Sequence, residues 1–136
     1  MAHFNVHYTK DLRTEMTHLA SGTVVLTDAP VDNNGKGEVF SPTDLVSASL
    51  ASCMLTIMGI AAREHGFSID GVKASVSKTM ESNPRRIAGI GINIIFPKIS
   101  YSAKHKKILE IISKTCPVAM SLHPDLKQDV HLHFID

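Results

Sequence analysis

The sequence carries almost no charge of one sign to spare: 14 Lys and Arg face 13 Asp and Glu, leaving a formal net charge of +1. Such balance exerts no global pull toward nucleic acid or an anionic membrane. The one basic run, Lys104-His105-Lys106-Lys107, leads into apolar residues at helical spacing and reads as a solvated helix face. Phosphate-cradling signatures are missing too. Segment 28–37 (DAPVDNNGKG) is rich in Gly, Asn and Asp, but it has no Gly-Lys-Ser/Thr ending and no dinucleotide fingerprint. There is no HExxH, no CxxC and no Cys/His quartet, and His131-x-His133 is only a weak pair on one strand face. No serine nucleophile elbow occurs either. Neither a metal nor a cofactor is therefore expected. The first residues, Met1 to Val6, lack the charged flank and apolar run of a signal peptide, so the cytoplasm is the expected compartment. The most apolar stretch, Leu45 to Ala62, is interrupted by Ser47, Ser49, Ser52, Cys53, Thr56 and Gly59 and follows Asp44. It reads as a buried helix rather than a membrane span.

What is present fits one soluble globular domain over residues 1–136, 43% hydrophobic and 20% charged. Phe4, Val6 and Tyr8 alternate with polar neighbours. Arg13 to Leu19 and Thr23 to Thr27 follow across turns at Lys10-Asp11 and Ser21-Gly22, which predicts a three-stranded meander. Ser41-Pro42 starts a helix, with Ser41 as N-cap, Pro42 in the first position and Asp44 in the first turn; Gly66 stops it after His65. Apolar or small side chains occupy nearly every face of that helix. A chain this short can hardly wrap such a rod alone, so a homodimer is expected. Period two returns at Ile69, Val72, Ala74 and Val76 and again at Ile87, Ile90, Ile92 and Ile94, joined through Ser82-Asn83-Pro84. Ser102 to Lys114 has helical spacing, Pro117 to Leu122 reads as a short helix, and His131 to Phe134 as a closing strand. The predicted order is βββ-α-ββ-α-α-β, an α+β fold with antiparallel sheet and a long buried central helix.

Only two cysteines exist, Cys53 and Cys116. Cys53 sits in the middle of the apolar helix, where a thiol is ordinarily a small inert hydrophobe. Cys116 lies at a helix junction before Pro117, where neighbouring amides can stabilise or present a thiolate. Two such cysteines can act as a peroxidatic and resolving pair, one becoming sulfenic acid and the other condensing with it to a disulfide. Peroxide reduction further needs a cation to favour the thiolate and a carboxylate to hold that cation. Arg13, the only arginine before the helix, is the candidate cation, with an exposed strand residue as the plain alternative. Asp44 is the candidate carboxylate, with a helix-start charge as its alternative. Nine residues at about 100° each place Asp44 and Cys53 on opposite sides of a regular helix.

Two segments together resemble a known family. Ser41-Pro42-Thr43-Asp44-Leu45-Val46-Ser47-Ala48-Ser49-Leu50-Ala51-Ser52-Cys53 is similar to the "NPEELLAAALAAC" helix of the OsmC/Ohr family, the osmotically inducible and organic hydroperoxide resistance proteins. Lys114-Thr115-Cys116-Pro117-Val118 resembles its second cysteine motif. The resemblance implies an intertwined homodimer with active sites at the interface, Cys53 as peroxidatic and Cys116 as resolving cysteine. It also implies a hydroperoxide substrate and regeneration by a dithiol such as a lipoylated protein. The family's glutamate, ten residues before the first cysteine, is Thr43 here and the acid moves to Asp44, which marks the chain as a divergent OsmC-like member. Two other readings of the sequence stand beside this one. One is a non-catalytic dimer binding a small apolar ligand at its interface; the other is a structural dimer whose cysteines are core residues.

Overall fold

The computed structural model describes residues 1–135. They form two compact units, Met1–Val46 and the remainder from Ser47 onward. In the first unit, strands β1 (Phe4–Lys10), β2 (Arg13–His18) and β3 (Val24–Asp28) make an antiparallel sheet in the order β1-β2-β3. Asp11 and Leu12, both with positive φ, turn β1 into β2. Register pairs Val6 with Met16 and Met16 with Val25 on one face, and Arg13 with Asp28 at the sheet's end. Because side chains alternate along a strand, Phe4, Val6 and Tyr8 share a face, and all three are exposed in the isolated chain.

The segment after β3 folds back on itself through a single 3₁₀ turn, Val31–Asn33, which the sequence pattern had not indicated. Gly35 donates to the Pro30 carbonyl at 3.0 Å and Gly37 to that of Ala29 at 3.2 Å. A Cβ on Gly35 would fall 1.8 Å from the Ala29 oxygen, so no other residue fits this close approach.

Helix α1 (Pro42–His65) begins with a reciprocal capping box. The Asp44 amide donates to Ser41 Oγ at 3.0 Å, and the Ser41 amide donates to Asp44 Oδ2 at 2.9 Å. It ends where Gly66 takes φ +72° and the Phe67 amide returns to the Ala62 carbonyl at 2.9 Å, a Schellman stop. The buried residues, Ser47, Leu50, Ala51, Met54, Met58, Ala61 and Ala62, recur at three- and four-residue spacing along one face. By length and composition α1 could cross a membrane, but that face belongs to the core. Elsewhere on the helix Val46 and Ile60 are exposed.

In the second unit, β4 (Lys73–Glu81) pairs antiparallel with β5 (Arg86–Ile95) across a turn containing the cis Asn83–Pro84 bond. Helices α2 (Ala103–Thr115) and α3 (Pro117–Ser121) follow, and β6 (Lys127–His133) closes the sheet in the order β4-β5-β6. The β5–β6 pair is parallel, so the antiparallel expectation describes every pairing except this one. The reason is the connection: a strand that returns beside its neighbour in the same direction needs a crossover, and α2 with α3 supply it. Ile90, Ile92 and Ile94 point to one side of β5 and join Leu50, Met54, Met58, Phe96, Leu109 and Cys116 in a single buried cluster.

Candidate active site

Cys116 caps one helix while ending another. At the C-terminus of α2 its amide donates to the Ile112 carbonyl, and its sulfur accepts from the Ala119 amide at 3.4 Å to open α3. Pro117 in the first helical position has no amide to leave unsatisfied, which is why Cys-Pro serves as this junction. The thiol is 1% exposed. Burial pushes it above its ordinary value, the Ala119 amide pulls the other way, and the adjacent Cys53 side chain adds to the rise through a hydrogen bond and its charge.

Cys53 lies on α1, part-buried against the same core cluster and more accessible than Cys116. Both cysteines are free thiols. The fold thus brings near one another two cysteines far apart in sequence, one part-buried and one buried. A side chain in the α1 stripe Leu50, Met54, Met58 would be sealed in the core; Cys53 falls one position off that stripe.

Arg13 and Asp44 belong to the first unit. The Arg13 guanidinium donates from Nε to Asp28 Oδ1 at 2.7 Å and from Nη2 to Asp28 Oδ2 at 2.8 Å. Glu38 Oε2 lies 3.7 Å from Nη2, and the Glu38 amide donates to Asp28 Oδ2 at 3.2 Å. Asp28 is fully buried, whereas Glu38 is 65% exposed. The Arg13 hydrogen bonds hold the Asp28 carboxyl below its usual range, and the same bonds raise the guanidinium above its own. Asp44 serves the helix start through the capping box. Two carboxylates that lie against Arg13, Asp28 and Glu38, are ones that motif reading does not single out. Hairpin register was the available signal for Asp28: pairing β2 with β3 across the Ser21-Gly22 turn puts Asp28 opposite Arg13.

His131 contacts Asp129 at 3.0 Å and His133 contacts Asn93 at 2.9 Å, all on exposed side chains. Among the described residues, no three metal-capable side chains converge.

Comparison with known proteins bears on this arrangement. The family model described as OsmC-like protein matches residues 35–131, most of the chain and both cysteines. A solved structure from Psychrobacter arcticus 273-4, assigned to the osmotic stress induced and detoxification response, is 50% identical with a TM-score of 0.93, covering 98% of this chain and 96% of that one. An OsmC-like protein from Mycoplasma pneumoniae matches at 17% identity and TM-score 0.78, covering 98% and 96%. A Legionella pneumophila organic hydroperoxide resistance protein matches at 13% identity and TM-score 0.75, covering 96% and 94%. At those two lower identities the likeness is one of fold. No curated protein matches the chain.

Proposed function

We propose that this chain, which belongs to the OsmC-like protein family, is a thiol-dependent peroxidase acting on organic or other hydroperoxides. The observation that carries the reading is the juxtaposition of Cys53 and Cys116 as free thiols of unequal access. In the proposed cycle the Cys53 thiolate attacks the distal peroxide oxygen. The O–O bond breaks, the alkoxide leaves with a proton as alcohol, and Cys53 becomes sulfenic acid. The Cys116 thiol then attacks that sulfur, a disulfide forms, and water departs. A dithiol reductant, of which a lipoylated protein is one kind, returns both thiols by exchange through a mixed disulfide. Such cycling suits a reducing compartment, which supports the cytoplasm as its place.

Arg13 is the proposed cation of this reaction, and the carboxylates that grip it support a guanidinium held for use. Asp44 contributes by capping the start of α1, the helix that carries Cys53. Names among the similar structures, detoxification response and organic hydroperoxide resistance, fit the same chemistry. We further propose that the working form is a homodimer. The exposed apolar residues of α1, Val46 and Ile60, and the bare sheet face of Phe4, Val6 and Tyr8 support that state.

The test is stopped-flow oxidation of the reduced protein by alkyl, fatty-acid and hydrogen peroxides. Second-order rates well above that of free cysteine are expected for at least one class. A rate no faster than free cysteine with every peroxide would sink the proposal. One observation favours a second reading, a carrier of a small apolar ligand: the first unit has an apolar cleft of about 370 Å³ lined by Phe4, Val6, Met16 and Val25. Native mass spectrometry of protein purified from cells would then show retained ligand, with thiols indifferent to peroxide.

A further inference from the structure

We infer that Asp28 is the positioning residue for Arg13, the carboxylate that holds the proposed cation in place. The inference rests on the reading above, in which Arg13 is the cation of a peroxidase. Asp28 ends β3 directly across from Arg13 on β2, so the two side chains leave the same face of a hydrogen-bonded pair of strands. The grip is bidentate, at 2.7 and 2.8 Å, on a carboxylate with no exposure to solvent. Two parallel bonds fix the plane of the guanidinium as well as its place, which a single contact cannot do. They engage Nε and one hydrogen of Nη2, so the Nη1 edge lies outside the chelate and is held at a fixed angle.

Glu38 is the weaker partner on every count. It stands 3.7 Å away and is largely exposed, so solvent screens it. Its backbone matters more than its carboxylate, since the Glu38 amide donates to Asp28 Oδ2. The Asp28 amide in turn donates to the Phe40 carbonyl at 3.1 Å. One buried residue therefore ties the arginine, the fold-back loop and the approach to the Ser41 cap together. Stability is a poor explanation for burying that charge, because an apolar pair of similar volume commonly serves a core as well or better. Orientation explains it directly.

The experiment compares wild type with Asp28→Asn, Asp28→Glu, Arg13→Ala and the Asp28→Asn/Arg13→Ala double variant. Peroxide oxidation rates are measured across pH on all five. Asp28→Asn is expected to slow oxidation about a hundredfold, the scale of an ångström-size misplacement. Asp28→Glu is expected to recover most of the rate, and Asp28→Asn to add no loss once Arg13 is gone. A wild-type rate in Asp28→Asn, or a loss of the same size in the Arg13→Ala background, overturns the inference. Iodoacetamide alkylation of Cys53, run on the same set in a Cys116→Ser background, separates the two readings because it needs no peroxide. If wild type ignores peroxide, the peroxidase reading fails alone; if alkylation in Asp28→Asn matches wild type across pH, the positioning role fails whatever the peroxide rate.

Discussion

The thiols of Cys53 and Cys116 are neighbours, and they are unlike: one is partly open, the other 1% exposed and hydrogen-bonded to the Ala119 amide. That inequality assigns the order of events in the proposed cycle. In that proposal peroxide meets the more accessible Cys53, and the buried Cys116 condenses with it afterwards.

Replacing each cysteine separates those steps. Cys53→Ser is expected to lose peroxide consumption entirely. Cys116→Ser is expected to complete a single turnover and stop with sulfenic acid at Cys53, seen by dimedone adduction and intact-mass analysis. Full activity in the Cys53→Ser protein would reject the assignment.

Cys116 is also expected to make the protein sensitive to alkali. Its pKa is raised by burial, so folding favours the neutral thiol. The resulting stability is fully present below the unfolded thiol value, about 8.5, and is lost as pH rises through the higher folded value. Urea midpoints measured above pH 8.5 should therefore fall more steeply in wild type than in Cys116→Ala. Parallel curves would show that another group governs the alkaline limb.

Asp28 acts at the other end of the scale. Its folded pKa is depressed by Arg13, so its contribution is present above the unfolded carboxyl value, about 3.9, and is lost as pH falls through the lower folded value. Acid titration followed by circular dichroism should show loss of structure below about pH 4. In Asp28→Asn that acid dependence should flatten, alongside lower stability at pH 7. An unchanged acid limb would mean that other carboxylates control it.

The two sides of α1 should answer mutation differently. Leu50 is fully buried in the core, and Leu50→Ala is expected to destabilise folding by about 2–5 kcal/mol in urea unfolding. Ile60 is 50% exposed in the single chain. Ile60→Glu is expected to leave secondary structure intact and shift sedimentation from dimer toward monomer. A wild-type protein that sediments as a monomer at all concentrations would refute the dimer.

Most element positions could be read from local chemistry. Ser41, Pro42 and Asp44 start α1 and Gly66 ends it because capping and positive φ depend on residues within one turn. Alternation at Ile90, Ile92 and Ile94 marks a strand for an equally local reason. The parallel entry of β6 was beyond that reading, since strand direction is settled by how a crossover packs and leaves no periodic mark.

For the site, the division is sharper. Sequence by itself determined the residue types, the Cys-Pro junction, the helix around Cys53 and the resemblance built on them. Only tertiary structure decided that the two cysteines are neighbours, that one is shielded, and that Arg13 is gripped by Asp28. The physical reason is range. Caps, turns and periodicity act over a few residues, whereas a thiol's access and an arginine's partner depend on surfaces contributed by distant segments.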